Sequence, residues 1–469
     1  MSTKDMTLRD LLNAGRWKTQ TLDAWAVDVV HRGAPGDQRT VVGSRIAKVA
    51  AAGVEVLGAD KDSDTVFIPY HRFLEVRGSQ HQRLWAQGEP IDTAALGLEA
   101  ESTATPAHTL DPGEELTSDI DVVLSRGPLL VIDGSAGEGG GQILRSSLTL
   151  SMLTGIPFAI DRIRAGRKKP GLARQHLTCV QAAAEICSAT LSGATLGSTR
   201  LEFHPGPVRP GDYVHAIGTA GATSLVLQTV ALPLAMADAP STLTVTGGTH
   251  ARWAPPFPFL MHAWVPLMQR MRLPLDVSMT SAGFYPAGGG KLVARLGKAG
   301  GALPAPLALL DQPRKLELRL EAIVSNLTEA IARRELKTAS VALDGFGYKR
   351  LRLTSGTVRS PGPGNAMWLE AHGGAVTNVF TAIGERGVPA EDVGLEVASQ
   401  FVAWHETGSA IEEHLADQLM LPLAIAGAGS FTTAPLTPHA WTNIEVVAAF
   451  TGRRFRVRQQ GAERVLLEL

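Results

Sequence analysis

Cysteine is almost missing from this chain of 469 residues, which holds only Cys179 and Cys187. That count excludes a disulfide scaffold. The two lie eight positions apart in what reads as one helix, so they cannot close a simple local bridge and read as ordinary core thiols. Neither sign of charge is in excess: 44 Lys and Arg stand against 45 Asp and Glu, for a net charge of -1. With no global basic field, contact with a nucleic acid has to come from local arginine clusters. An uninterrupted apolar span of membrane length is missing too, and the polar opening Met-Ser-Thr-Lys-Asp carries no apolar signal region, so a cytoplasmic protein is expected. There is no H-E-x-x-H, no C-x-x-C and no pair of histidines at helical spacing, which argues against zinc catalysis. G-x-G-x-x-G fails because its third position falls on Gln142 or Leu144, and no Gly-Lys pair completes a Walker A loop.

What is there describes a soluble globular protein, 44% hydrophobic and 19% charged, and too long for one ordinary core. Residues 1–88 mix short helical and strand patterns and read as a separate small α+β domain. From 89 to 125 the sequence thins into Ala, Thr, Glu, Pro and Gly without periodicity, the pattern of a flexible linker. Beyond it one motif returns three times, a small-residue turn followed by a hydrophobic helix: Gly139 to Thr154, Gly218 to Ala235, Ile411 to Ala426. A second helix follows each, at Leu172 to Ser188, Phe257 to Met271 and Thr442 to Phe450, and strands such as Arg200 to His204 and Lys291 to Leu296 fill the intervals. The fold class expected is α/β (α+β), with three repeated α/β units in a large domain over 126–302 and 406–469. Residues 303–405 break the rhythm with Leu316 to Val324, a helical Leu327 to Leu336, Leu351 to Thr354 and Ala390 to His405, and read as a small inserted α/β domain.

The chemistry-bearing residues gather in a few places. Asp133-Gly-Ser-Ala-Gly-Glu-Gly-Gly-Gly-Gln-Ile-Leu-Arg145 sets two carboxylates, an amide and a base on a backbone nearly free of side chains. Such a loop can approach a phosphate, and Glu138 can hold a divalent cation against the same charge. Ile163 to His176 packs five Lys and Arg into a Gly/Pro turn before a helix, where Arg164 and Arg167 can present guanidinium forks to phosphate or stand as a solvated basic loop. Pro435 to Glu445 places His439 just ahead of a helix start capped by Thr442 or Asn443. The positive end of that helix disfavours imidazolium and leaves a neutral, nucleophilic ring. The K-x-D-G of nucleotide-transferring ligases is missing, so a lysine in that motif is not a nucleotide acceptor.

Together these motifs resemble the RNA 3'-terminal phosphate cyclases over residues 128–469. The resemblance is carried by Asp133 to Arg145, Ile163 to His176, Gly283-Phe-Tyr-Pro-Ala-Gly-Gly-Gly290, His414-Leu-Ala-Asp-Gln-Leu419 and His439-Ala-Trp-Thr-Asn-Ile444. It implies ATP-dependent closure of an RNA 3'-phosphate to a 2',3'-cyclic phosphate through a histidine-AMP intermediate, with Mg2+ or Mn2+ as companion. It further implies His439 as nucleophile, Glu138 as the metal-linked carboxylate, and Arg145, Arg164, Arg167 and Gln175 as phosphate and RNA contacts. Gln228 and His414, Leu415, Ala416, Asp417 and Gln418 resemble the ATP pocket, with Asp417 on the ribose and Pro255 and Phe259 flanking adenine; His414 stands where bacterial members carry a tyrosine. A non-catalytic relative that binds RNA in ribosome assembly lacks the nucleophilic histidine, so His439 argues against that role. Enolpyruvate transferases have similar repeats but no use for the glycine loop or the histidine motif. Near the N-terminus, Arg9-Asp-Leu-Leu, Trp17, His31-Arg-Gly33 and Phe67 to Arg72 through Trp85 resemble a small domain that recognises RNA cyclic-phosphate ends, with Tyr70, His71 and Arg72 suited to an RNA terminus.

Overall fold

The structure, a computed structural model, describes residues 8–13, 22–30, 38–49, 53–56, 66–69, 73–78, 82–86, 113–137, 139–461 and 463–469. The chain divides into two compact units, Met1–Thr109 and Leu110–Leu469. No described helix is long and apolar enough to cross a membrane.

Among the described residues of the first unit α1 (Leu8–Asn13) accompanies seven strands: β1 (Ala26–Val30), β2 (Gln38–Val42), β3 (Ile46–Val49), β4 (Gly53–Val56), β5 (Val66–Pro69), β6 (Phe73–Arg77) and β7 (Arg83–Ala86). They make an antiparallel sheet ordered β2-β1-β6-β7 and a second ordered β3-β4-β5. Period-2 alternation puts Val27, Val29, Phe73, Val76 and Leu84 inside with Leu11, Leu12 and Trp25. Asp28 takes hydrogen bonds from Arg77 Nη2 at 2.6 Å and Thr40 Oγ1 at 2.5 Å, tying three neighbouring strands. Phe67 and Ile68 lie in β5, and Trp85 packs half-buried on the core. Trp17, His31, Arg32, Gly33, Tyr70, His71 and Arg72 lie outside the described residues.

The second unit is mixed α/β and repeats one topology three times. It opens with β8 (Glu115–Leu116) and β9 (Val123–Ser125). The first copy is β10 (Leu130–Asp133), α2 (Gln142–Thr154), β11 (Phe158–Asp161), α3 (Arg174–Cys187), β12 (Thr190–Ser192) and β13 (Leu201–His204). The second is β14 (Asp212–Ala216), α4 (Thr223–Met236), β15 (Ser241–Gly247), α5 (Phe257–Phe259) continuing through a π-helical Leu260–Trp264 into α6 (Val265–Arg270), β16 (Leu275–Ser281) and β17 (Gly290–Leu296). The third starts with β18 (Ala308–Leu309) and is interrupted by β19 (Glu317–Ser325), α7 (Ala330–Gly345), β20 (Leu351–Thr357), β21 (Gly364–Gly373), β22 (Val376–Ile383) and α8 (Ala390–Thr407). It resumes with α9 (Glu413–Ala426), β23 (Ser430–Thr433), α10 (Pro438–Thr451), β24 (Arg456–Gly461) and β25 (Arg464–Glu468).

In each copy the first two strands run parallel, joined by an apolar crossover helix, and a terminal hairpin returns its last strand antiparallel to the second. The crossover helices α2, α4 and α9 are buried nearly all round, α4 on apolar residues and α2 with Ser146, Ser147, Thr149 and Ser151 among its buried positions. Helix α2 packs against α3, α4 and α10, so the glycine loop ahead of it is held at the centre of the unit.

The structure corrects several sequence expectations. The stretch expected as linker to residue 125 carries β8 and β9, hydrogen-bonded to β24 and β10; such short edge strands are held by backbone pairing and leave little trace in polarity. Helix α7 starts after Leu327, because Asn326 sits at φ 52° and ends β19, and it runs on to Gly345. The hairpin β21–β22 went unread because both of its faces are buried. Ala366 and Trp368 enter the large core while Met367, Leu369 and Ala371 enter a separate core with α7 and α8. Burial on both sides erases the alternation that marks a strand.

That separate core holds a carboxyl. Glu335 is 0% exposed, accepts a hydrogen bond from Asn365 Nδ2, and keeps its other oxygen unpartnered. Burial, opposed by Asn365 and Arg334, pushes it up to about 8. The folded protein therefore holds a proton that the unfolded chain releases at the ordinary carboxyl pKa. The stabilisation is full below that pKa and fades as pH rises through about 8. Glu335→Gln should match wild type in denaturant unfolding near about pH 4.5 and exceed it increasingly up to about pH 8, approaching about 1.4 kcal/mol per pH unit. A difference independent of pH would contradict the buried proton.

Candidate active site

Strand β10 ends at Asp133, whose carboxylate is occupied on both sides: Ser135 N and Oγ donate to Oδ1 at 2.9 and 2.6 Å, and Arg162 grips it with Nε at 3.0 Å and Nη2 at 2.5 Å. Asp133 therefore shapes the turn. The glycines after it answer to crowding from two other helices. Gly137 holds φ 58°, and a Cβ on it would collide with Thr442 Oγ1 of α10. A Cβ on Gly141 would run into the His176 ring of α3 and the Arg145 guanidinium. The loop is bare there so that the N-terminal halves of α3 and α10 can close on it.

Helix α10 starts earlier than its sequence suggested. Thr437 caps it by accepting from Ala440 N at 3.1 Å, with Pro438 as the first helical residue, so His439 lies inside the first turn and Thr442 a turn later. The two polar residues once read as caps serve elsewhere: Thr442 Oγ1 donates to Pro438 O at 2.7 Å, and Asn443 faces inward. His439 is exposed at the surface. Desolvation by the groups packed around it nonetheless lowers its pKa; Asp417 opposes that fall, and Arg145, Arg167 and His414 deepen it. The ring is thus neutral at neutral pH and accessible.

Beneath it lies a buried polar knot. Asp417 of α9 accepts from Gln142 Nε2 at 2.8 Å, from Asn443 Nδ2 at 3.2 Å and from Gln418 Nε2 at 3.4 Å. Ser146 Oγ donates to Asn443 Oδ1 at 2.8 Å. Burial raises the Asp417 pKa against the pull of Gln142, His439, His414 and Arg145. Beside the knot a cavity of about 70 Å³ is lined by Arg145, Asp417, Gln418 and Gln228 with apolar Leu225, Trp264 and Met268. Both polar atoms of the Gln228 side chain are buried in α4 without a partner, the sign of a group that meets a water or a ligand.

The cations converge from the first copy. His176 is buried and driven down to about 3, by desolvation first and then by Arg145, Arg164 and Arg167. Arg164 spends Nη1 on Lys169 O and Gly171 O, both at 2.9 Å, closing its turn, while Arg167 stands exposed. Gln175 Oε1 accepts from Ala222 N at 2.6 Å and fastens α3 to the turn before α4. Of the remaining expected residues, Pro255 is half-buried just before α5 and His414 is exposed on the first turn of α9. Phe259, Leu415 and Ala416, at 3%, 0% and 1% exposure, are packed in the hydrophobic core and do not line the cavity, contrary to their expected place beside ATP. Glu412 caps α9, accepting from His414 N at 2.8 Å and Leu415 N at 2.5 Å, and burial pushes it up to about 7. Glu138 lies outside the described residues, and among the described residues no group of three or more His, Cys, Asp or Glu could hold a metal ion. Sequence reasoning missed Asn443, Gln142 and His176 as neighbours of the site, although each stands inside a motif it had singled out.

A family model described as RNA 3'-terminal phosphate cyclase matches residues 136–457. A protein of Ralstonia nicotianae named RNA 3'-terminal phosphate cyclase is 52% identical over 331 residues, 70% of this chain and 93% of its own. Proteins of the same name from Koribacter versatilis and Ectopseudomonas mendocina are 47% and 44% identical, each over 71% of this chain and over 92% and 96% of their own lengths. The solved enolpyruvyl transferase NikO from Streptomyces tendae aligns at 14% identity over 36% of this chain and 33% of its own, with a TM-score of 0.21 that carries no argument. Exposed His439, buried Asp417 and the arginines around His176 thus fall within the matched residues, and the chain belongs to the RNA 3'-terminal phosphate cyclase family.

Proposed function

We propose that this enzyme uses ATP to convert an RNA 3'-terminal phosphate to a 2',3'-cyclic phosphate, with AMP carried on His439. An imidazole nitrogen of His439 attacks the α-phosphorus of ATP; a P–N bond forms, the bond to pyrophosphate breaks, and the ring sheds its proton. An oxygen of the RNA 3'-phosphate then takes the adenylate, breaking the P–N bond. The adjacent 2'-hydroxyl attacks the same 3'-phosphorus, closes the five-membered ring, and releases AMP. That last step needs little from the protein beyond charge, since the ribose holds its own nucleophile at high effective concentration.

The observation that carries this reading is the neutral, exposed His439 in the first turn of α10, within electrostatic reach of Arg145, Arg167 and Asp417. Lowering its pKa keeps the lone pair available, and the guanidiniums neutralise phosphate charge as it accumulates. Asp417 and Gln228 face the cavity where a ribose and base edge find hydrogen-bond partners. Glu138 would hold a divalent cation, which would withdraw charge from the ATP phosphates. The first unit extends the reading as a holder of cyclic RNA ends, for which Tyr70, His71 and Arg72 offer an aromatic ring and charge.

Incubation with ATP labelled in the α-phosphate should leave acid-labile, base-stable AMP on the protein, and His439→Ala should abolish it; undiminished label in that variant would refute the nucleophile. Because the folded pKa of His439 is lowered, labelling should stay level from neutral pH to below about 6.5, the ordinary imidazole value, and fall only on further acidification. A decline centred at or above that value would contradict the lowered pKa. Gly141→Ala pushes on His176 and Arg145 rather than on the core, so it should cut the labelling rate by roughly 100-fold, the scale of one misplaced catalytic group, with melting little changed. Equal losses of rate and stability would place the glycine's role in folding. In the whole chain, Arg72→Ala should weaken binding of RNA with a cyclic-phosphate end by roughly tenfold, the loss of one charge-assisted contact, and unchanged affinity would rule out that contact.

A further inference from the structure

Two large aromatic rings stand in solvent at one edge of the second copy: Trp253 is 73% exposed and Tyr285 82%. Their immediate neighbours are not. His250 and Phe284, at 1% and 2% exposure, stack on each other with ring centroids 5.1 Å apart. The two loops are one body: Thr249 N and His250 N donate to Gly283 O at 3.0 and 3.2 Å, and Gly283 N returns a bond to Thr249 Oγ1 at 2.9 Å. Trp253 also holds φ 65°, a conformation a bulky side chain rarely adopts, so its outward ring is held there by the loop rather than left over from packing.

A continuous strip of backbone links these rings to the catalytic side chains. The backbone at Gly288 lies against Thr219 and Ala220 so closely that a Cβ would not fit. Gly248 N donates to Gly221 O at 2.7 Å, and Ala222 N to Gln175 Oε1 at 2.6 Å. Gln175 adjoins His176, which meets Gly141 and Arg145. Along the same edge the charges are mostly positive. The Arg252 guanidinium lies 5.1 Å from the centre of the Trp253 ring and pairs with Glu385 at 2.9 Å. Exposed Arg359 and Lys291 flank Ala282: Arg359 O accepts from Ala282 N at 2.9 Å, and Lys291 pairs in register with Ser281.

We propose that Trp253 and Tyr285 are a stacking platform for the unpaired bases just 5' of the reacting phosphate, with Arg252, Arg359 and Lys291 along the sugar-phosphate backbone. This rests on the RNA reading above and adds the substrate's form to it: a single-stranded 3' tail. Rings this exposed among cations suit bases, which all carry a π face, and stacking tolerates any sequence. Bases locked in a duplex cannot reach such a platform. The chain also needs this affinity, since the chemistry engages only the last ribose and a net charge of -1 supplies no long-range attraction for RNA.

The test uses the full chain with Trp253→Ala, Tyr285→Ala and both together. Substrates are a 3'-phosphorylated oligoribonucleotide with an unpaired tail, the same oligonucleotide abasic at the nucleotides before the terminal one, and a blunt duplex. Self-adenylation by ATP alone should be unchanged. The KM for the tailed RNA should rise roughly tenfold per ring, within the range for single base–aromatic stacks, with kcat at saturation nearly preserved. Wild type should handle the abasic and duplex substrates as poorly as the double variant handles the tailed one, and Trp253→Phe and Tyr285→Phe should restore most of the loss. An unchanged KM in the double variant, or equal penalties on tailed and abasic RNA, overturns the platform while the cyclase reading stands. A wild type that adenylates itself but closes no RNA end overturns the RNA reading and the platform with it.

Discussion

A carboxyl buried between helices from different copies of the repeat is the constraint on which the site depends. Asp417 comes from the crossover helix of the third copy, Gln142 and Ser146 from that of the first, and Asn443 from α10. Polar groups this deep stay put only if each finds its partner, and the partners are offered by different helices, so helix position and hydrogen bonding are solved together. Moving α2 by a fraction of a turn would strand Gln142, Ser146 and Asn443 at once. The knot therefore fixes the register in which the first and third copies meet, and that register sets Arg145 beside His439. The amide of Gln228 on α4, buried without a partner, borders the cavity.

The glycine turn follows from the same crowding. Its small residues suggest a backbone stripped to approach a phosphate, and that reading is incomplete: Gly137 and Gly141 are needed because Thr442 and His176 press on them. The two demands agree. Helices α3 and α10 can bring their N-terminal halves to the loop only with glycine at 137 and 141, and a loop between two helix N-termini sits in positive potential. Close packing and anion binding are then one geometric solution.

Much of the second unit was legible in the sequence. The recurring small-residue turn and hydrophobic helix gave α2, α4 and α9 within a few residues; all-round burial leaves long apolar runs in α4 and α9, while α2 interleaves its apolar residues with small Ser and Thr. What escaped depended on partners distant in sequence. Hairpin β21–β22 lost its alternation to two cores, β8 is held by β24 near the other end of the unit, and the cap of α10 passed to Thr437 while Asn443 was claimed by Asp417. At the site, motifs announced His439, Arg145, Arg167 and Asp417. Their mutual reach required the fold, as did the finding that Asp133 is consumed by Arg162 and Ser135.

The repeat itself explains why the chemistry gathers where it does. The second helices of the three copies, α3, the α5–α6 run and α10, occupy equivalent places in one topology, and their N-termini follow equivalent strands. Copy one fills that end with Gln175 and His176, copy three with His439, and copy two with Pro258 and Phe259, which are buried and apolar. Two helix ends of positive potential thus meet over the glycine loop while the third is sealed as a wall. Each copy kept its strands and crossover helix, which bury the core, and diverged at one helix end, which does not. A repeated fold thereby supplies an end with a buried imidazole, an end with an exposed one and an apolar end within a single unit.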